Sequence, residues 1–389
     1  MGEYMKKLAV GIMSGTSLDG IDILITEIEG TSTRTKVNPI AFRTYPFEPL
    51  LLNKIKKAFH QDSSSPELLC SLNFELGEAF ANAVKRLVKE ENLKMDDIDF
   101  IASHGQTIFH IAEESEGLVK SSLQLDEGAV IANLCNVTTV SNFRASDITA
   151  GGQGAPLVPY ADFIMFSSPI MNRAIHNIGG IANQTVLPKG SKIDDVFAFD
   201  SGPGNMMIDY ATKELFNKPF DQDGRIARSG KIIPDMIYEL LSHPYLKKIP
   251  PKSTGRELFG DQYTENIIKK YHNYPKADII KTLTYFTAKT IINSYKDFVL
   301  QKVNLDEIIF CGGGSYNTYL LEMIAQELPE IKIMRLEDLG YGSASKEALA
   351  FVILANETLN LQPSNVKSAT GASRHVILGQ VNYVFKGTV

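Results

Sequence analysis

Short apolar runs, some alternating and some continuous, punctuate the first half of the chain and are separated by polar, glycine-bearing turns. The runs at 7–13, 20–28, 37–45, 98–103 and 137–142 predict strands. Between them, Leu69, Leu72, Leu76, Phe80, Val84 and Leu87 recur at helical spacing, with Glu and Lys on the other face, which predicts a long helix from Pro66 to Asn92 covering a sheet. At residues 142–156 the texture changes to the polar, glycine-rich passage NFRASDITAGGQGAP, where a domain crossing fits. Beyond it the pattern predicts strands at 173–178, 181–187, 195–200, 307–311 and 331–335. Helices are predicted at 203–217, 231–242, 262–272, 276–302, 316–327 and 345–359. Strands alternating with helices indicate an α/β protein.

Residues 11–20 read Gly-Ile-Met-Ser-Gly-Thr-Ser-Leu-Asp-Gly, a small-residue turn between two predicted strands. Gly11, Gly15 and Gly20 let a backbone approach a ligand, while Ser14, Thr16 and Ser17 offer hydroxyls and N–H groups to anionic oxygens. Asp19 adds a carboxylate for a magnesium ion or its waters. The turn lacks the Gly-Lys-Ser/Thr ending of a Walker A loop, so it is either a hairpin-type phosphate site or an ordinary tight turn. The device recurs about 165 residues later, where Gly179-Gly180 joins strand 173–178 to strand 181–187. Two such hairpins resemble the duplicated fold of the actin, hexokinase and Hsp70 superfamily, in which each half contributes one phosphate hairpin.

Bulk properties narrow the field further. A chain of 389 residues suits two domains, and 44% apolar with 22% charged residues is ordinary for a globular protein. The net charge of −6 argues against nucleic acid as a partner, because a polyphosphate needs a concentrated basic face. Cys70, Cys135 and Cys311 lack paired spacing and are expected to be buried thiols. The apolar run after the N-terminus is too short for a signal peptide, and no stretch approaches a membrane span, so a cytoplasmic location is expected.

Further polar clusters follow apolar strands. His104, Gln106 and Thr107 emerge at a strand end, either as structural groups or as contacts to sugar hydroxyls. Arg144 and Asp147 either clamp a substrate carboxylate and hydroxyl or form an interdomain salt bridge. Asp200 stands between strand 195–200 and a glycine-rich step into a helix, placed to accept a proton; with Pro203 in the first helical turn, Ser201 or Gly202 is the expected cap. Gly312, Gly313 and Gly314, followed by Ser315, Tyr316 and Asn317, offer a flat backbone surface for an adenine or ribose. Glu347, at the start of the late helix, either satisfies the helix dipole or reaches a sugar.

Taken together these segments resemble the anhydro-N-acetylmuramic acid kinase family over nearly the whole chain. Ten motifs occur in the family's order: GIMSGTSLDGID (11–22), SHGQT (103–107), NFRASDITAGGQGAPLVP (142–159), NIGGIAN (177–183), FDSGPGNMMID (199–209), DQDGRIARSG (221–230), PPKSTGRELF (250–259), CGGGSYN (311–317), KEALAF (346–351) and TGA (370–372). Departures are Asn142 for the expected Asp, Ser201 for Thr, and the segment 124–128, which leaves that loop out of the expected site.

The resemblance implies a duplicated ribonuclease H-like, actin/hexokinase-type fold with an ATP cleft between the halves. The expected domains are 1–142 with about 361–389, and 143–360. It implies hydrolytic opening of the 1,6-anhydro ring of an amino sugar and phosphorylation of the released O6, with ATP and Mg2+ as cofactors and a homodimer as the usual assembly. Asp200 matches the family's catalytic base. Ser14, Gly15, Thr16, Ser17, Gly179 and Gly180 would hold phosphates, Gly312, Gly313, Gly314 and Asn317 the nucleoside, and Asp19 would lie near magnesium. His104, Gln106, Arg144, Asp147 and Glu347 would line the sugar pocket, with Arg144 on the lactyl carboxylate. A plain hexokinase-type or acetate-kinase-type phosphotransferase is the alternative.

Overall fold

The computed structural model describes residues 5–15, 18–114 and 117–385, so the expected phosphate-turn residues Thr16 and Ser17 lie outside the described residues. The chain divides into two compact units, Met1–Met165 with Ser345–Val389, and Phe166–Ala344.

In the first unit, β1 (Lys7–Ser14), β2 (Ile21–Glu29) and β3 (Lys36–Tyr45) form an antiparallel meander. β4 (Phe100–Ile111) runs parallel to β1, and β6 (Thr139–Ser141) parallel to β4. β5 (Ser121–Leu125) folds back on β4, and the strand Gln380–Asn382 pairs with β6, giving the order Gln380–Asn382, β6, β4, β1, β2, β3. One face is covered by the helix Pro66–Glu90, whose Leu72, Leu76, Phe80, Val84 and Leu87 pack with Val10, Ile12, Ile23 and Ile25. The helix Lys346–Leu359 lies against β1, β2 and β4, and most of its residues are buried. Gly11 is required there: a Cβ would sit 2.4 Å from the Ala348 carbonyl oxygen.

The second unit repeats this order. β7 (Arg173–Ile178), β8 (Ile181–Leu187) and β9 (Phe197–Pro203) form the meander, while β10 (Glu307–Cys311) and β11 (Lys332–Arg335) add in parallel beside β7. The sheet order is β11, β10, β7, β8, β9. Its core joins Ala174, Ile178, Val186 and Phe199 to Ala288, Ile291 and Ile292 of the helix Lys276–Ser294 and to Leu320 and Ile324. A second cluster, including Met207, Ile208, Phe259, Ile280 and Leu283, seats the smaller helices. The same five-strand order, three antiparallel then two parallel, appears in both units and is the duplicated ribonuclease H-like topology expected.

The division falls later in the chain than the expected crossing near residue 142. The helix Arg144–Thr149 and the late helix belong to the first unit, because Glu357 accepts hydrogen bonds from Ser32 and Thr31, and Asn365 donates to Asp147. The expected cap at Ser201 or Gly202 also needs correction. β9 runs through Pro203 and the next helix begins at Met206, with Asn205 at the cap position and no side-chain cap bond. Among the thiols, Cys135 and Cys311 are buried but Cys70 is exposed, since it faces outward from the Pro66–Glu90 helix.

Candidate functional site

Within the first unit, the end of β1 is held to the middle of β4. Ser14 Oγ donates to Gln106 Oε1 at 2.6 Å, and Gln106 Nε2 donates to the Gly15 carbonyl at 3.4 Å. Ser14 and Gln106 are both buried. Gln106 therefore braces the turn. The glycine reading changes: Gly11 packs against a helix, and a Cβ on Gly20 would lie 2.7 Å from the Tyr45 carbonyl oxygen, so neither is spared for a ligand. At the turn's far end Leu18 has φ near +60°, a left-handed conformation uncommon for leucine.

His104 is buried and carries two defined bonds. Nδ1 is 2.8 Å from the Gly105 carbonyl and so bears the proton, leaving Nε2 to accept from Arg144 Nη2 at 2.7 Å. Burial, reinforced by the Arg144 charge, lowers the imidazole pKa to about 3. His104 is thus a neutral acceptor that aims Arg144, not a proton carrier. Arg144 Nη1 donates to the Gly154 carbonyl at 2.8 Å, while among the described residues its buried Nε has no hydrogen-bond partner. Burial lowers the guanidinium pKa to about 10, leaving it charged at neutral pH, and Glu347 counters that shift. A half-buried cation with no carboxylate at salt-bridge distance among the described residues is suited to an anionic substrate group.

Among the described residues Asp147 forms no salt bridge with Arg144; its carboxylate is taken up by other donors. Fully buried, it accepts from Gly154 N at 2.9 Å through Oδ2, and from Thr370 Oγ1 at 2.8 Å and Asn365 Nδ2 at 3.0 Å through Oδ1. It ties together the loop that carries Gly154. Glu347 keeps solvent contact on the first turn of its helix, yet the protein crowded around it raises its pKa; Asp22 adds to this, and Lys346 and Arg144 oppose it.

Asp19 is exposed and Asp22 half-buried, with Asp22 accepting from Thr44 Oγ1 at 2.6 Å. Burial, then the charge of Asp19, raises the Asp22 pKa. These hard oxygens fit a hydrated magnesium ion, although no group of three metal-ligating side chains occurs among the described residues.

In the second unit, Asp200 is half-buried on β9. Its Oδ2 accepts from Thr254 N at 2.9 Å, and its backbone is held by Lys252 O and by the Tyr245 hydroxyl, at 3.0 and 2.8 Å. Among the described residues Oδ1 accepts no protein hydrogen bond. Burial raises the carboxyl pKa to about 7; Glu257 raises it further, while the Thr254 N–H and Lys252 lower it. A base with that affinity and one open oxygen is suited to activating water at neutral pH.

Gly179 and Gly180 make the β7–β8 turn, and their carbonyls receive the N–H groups of Asn205 and Gly204 at 2.8 and 2.9 Å. A Cβ on Gly179 would meet no atom closer than 3.4 Å, so the space beside this turn is not filled by its own unit. The three later glycines differ in role. Gly312 has φ near +80°, and a Cβ on Gly314 would fall 2.2 Å from Ile178 Cγ2, whereas one on Gly313 would meet nothing closer than 3.8 Å. Gly313 opens on a cavity of about 420 Å³ whose lining includes Asn205, Asp209, Phe220 and Tyr316. Asn317, expected as a nucleoside contact, also lines it, but its Oδ1 caps the helix Thr318–Glu327 by accepting from Leu320 N at 3.1 Å.

Sequence reasoning missed Asp22, Asp209, Tyr245, Lys252, Thr254 and Glu257. All but Tyr245 lie within quoted motifs, which were the available signal, but their roles depend on folding distant segments together.

A family model described as anhydro-N-acetylmuramic acid kinase matches residues 7–384. The protein of that name from Francisella tularensis subsp. novicida (strain U112) is 54% identical over 98% of this chain and 100% of its own length. Its namesake from Clostridioides difficile (strain 630) is 51% identical over 96% of this chain and 97% of its own, and that from Bacillus cereus (strain Q1) 49% identical over 96% and 98%. The chain belongs to the anhydro-N-acetylmuramic acid kinase family.

Proposed function

We propose that the protein uses ATP to open the 1,6-anhydro ring of 1,6-anhydro-N-acetylmuramic acid and to phosphorylate O6, giving N-acetylmuramic acid 6-phosphate and ADP in peptidoglycan recycling. The observation that carries the mechanism is Asp200, with a pKa near neutrality and an open Oδ1. Asp200 takes a proton from water as the water oxygen bonds to C1. The C1–O6 bond breaks, and the O6 electron pair attacks the γ-phosphorus while ADP leaves. Glycosidic cleavage ordinarily needs a second carboxyl group to protonate the departing oxygen. Capture of O6 by the phosphoryl group removes that need, which accounts for a single well-placed carboxylate.

Arg144, aimed by His104, binds the lactyl carboxylate, and Glu347 contacts the sugar. The turn at Ser14–Asp19 and the turn at Gly179 and Gly180 hold phosphates. The cavity beside Gly313 takes the nucleoside, with Phe220 and Tyr316 as stacking surfaces and Asp209 as an acceptor. Magnesium, when bound to the phosphates, neutralises their charge; Asp19 and Asp22 would hold its waters. The protein acts in the cytoplasm, where ATP is supplied, as a homodimer.

Incubation with Mg-ATP and 1,6-anhydro-N-acetylmuramic acid should release ADP and a reducing sugar 6-phosphate in one-to-one ratio. ADP formed while the anhydro ring stays closed would instead identify a simple phosphotransferase acting on another hydroxyl.

A further inference from the structure

Lys252 belongs to the PPKSTGRELF segment, none of whose side chains the reaction above employs. It is only 9% exposed, and its ammonium has one hydrogen bond, a long one of 3.4 Å to the Leu246 carbonyl, with no carboxylate at salt-bridge distance among the described residues. Two aromatic faces hold it, the Tyr245 ring centre 4.9 Å away and that of Phe298 4.8 Å away. Burial lowers its pKa to about 8, so it stays largely charged at neutral pH. The main chain fixes where the side chain starts. The Lys252 carbonyl accepts from Asp200 N at 3.0 Å, and two residues on, Thr254 N donates to the Asp200 carboxylate at 2.9 Å. A buried ammonium so short of partners is costly unless an anion completes it.

Lys252 lines a cavity of about 360 Å³ within the second unit. None of the groups assigned above to sugar, phosphate, nucleoside or base lines it. It offers far more room than one water needs, and it lies at the lower end of the range of about 300–1,000 Å³ typical of small-molecule pockets. The hydroxyls on its wall are already spent as donors. Ser201 Oγ donates to the Ala182 carbonyl at 3.1 Å, Thr290 Oγ1 to that of Thr287 at 2.9 Å and Ser294 Oγ to that of Ile291 at 2.7 Å. The Asn293 side-chain amide, by contrast, makes no hydrogen bond among the described residues, so it remains a donor beside Lys252. Leu241, Leu246 and Phe298 supply an apolar wall, and the exposed Lys247 and Asp297 add one charge of each sign.

We infer that this cavity is a binding site for a small monocarboxylate with an apolar body. Its carboxylate bonds to the Lys252 ammonium and the Asn293 amide, and its body lies against Leu241, Leu246 and Phe298. A neutral ligand would leave the buried ammonium unpaired. A bare inorganic ion would gain nothing from the apolar wall, and a dicarboxylate would put its second charge among apolar side chains or beside Asp297. The site uses none of the reaction groups, so its occupancy does not depend on the reading of Asp200.

The test is a ligand-observed NMR titration at pH 7 with pentanoate, its neutral analogue pentanamide and the dianion glutarate. It is run on wild type, Lys252→Met, Asn293→Leu and Arg144→Ala, with thermal melts alongside. Pentanoate should saturate wild type with a Kd of about 1 mM or tighter, glutarate should bind about tenfold more weakly and pentanamide not at all. Lys252→Met and Asn293→Leu should each weaken pentanoate by about tenfold or more. Arg144→Ala, which removes the other cation suited to a carboxylate, should leave it unchanged. Asn293→Leu fills the cavity without removing the buried charge, so it decides the matter if Lys252→Met fails to fold. Absence of saturation in wild type, equal binding of pentanamide, or an affinity unmoved in Asn293→Leu would each overturn the inference. Loss of binding in Arg144→Ala alone would move the carboxylate to the proposed sugar site and overturn it as well.

Discussion

Arg144 and Asp147 sit three residues apart, and their surroundings give them opposite work. Asp147 is fully buried with three hydrogen-bond donors on its carboxylate, whereas Arg144 retains a buried Nε with no partner among the described residues. Asp147→Ala should cost about 3 kcal/mol of stability, because three donors lose a charged acceptor. Arg144→Ala should cost about 1–3 kcal/mol through the donors lost to His104 and the Gly154 carbonyl, and raise KM for the lactyl sugar much more than for an analogue lacking the carboxylate. Thermal melts and kinetics on both variants decide this; equal KM effects on the two sugars would refute the carboxylate assignment. In the sequence the pair reads as one polar cluster. Only Asn365 and Thr370, more than 200 positions away, reveal that Asp147 is occupied. Asp200 was legible for the converse reason: a carboxylate closing an apolar run before Gly202 and Gly204 carries its context with it. Its partners Thr254 and Tyr245 were not, since neither is local.

At the scale of elements, periodicity carried most of the fold. β7, β8 and β10 run over the expected residues, because each is a distinct run bounded by polar or glycine residues. β5 and the strand Gln380–Asn382 were missed, being only 5 and 3 residues long and lying at the sheet's margin, where alternation is too brief to register. The helix expected over 276–302 ends at Ser294 and continues as a π-helical turn, where the Tyr295 hydroxyl meets His176 Nδ1 at 2.9 Å. The triple glycine after β10 separates packing from binding. Gly314→Ala should lose about 1–3 kcal/mol of stability through its clash with Ile178. Gly313→Ala should fold normally and raise KM for ATP by roughly tenfold, about 1.4 kcal/mol of binding. Normal ATP affinity in Gly313→Ala would remove the nucleoside from that cavity.

Across the whole molecule, two units share one strand order, and each places candidate ligand groups on the meander turn and on neighbouring strands. The recurrence of Ser14–Asp19 and Gly179–Gly180 made the duplication readable, while the point of division was not, because the late helix returns to β1 through contacts no local pattern encodes. The central claim joins two chemistries, ring hydrolysis and phosphoryl transfer, through Asp200. Its most direct test is a reaction in oxygen-18 water with Mg-ATP and 1,6-anhydro-N-acetylmuramic acid, sampled before the reducing end exchanges with solvent and run beside Asp200→Asn. Heavy oxygen at C1 of the sugar 6-phosphate, with no product from Asp200→Asn, is the expected result. ADP formed without label at C1, or an Asp200→Asn variant that still makes labelled product, would contradict it.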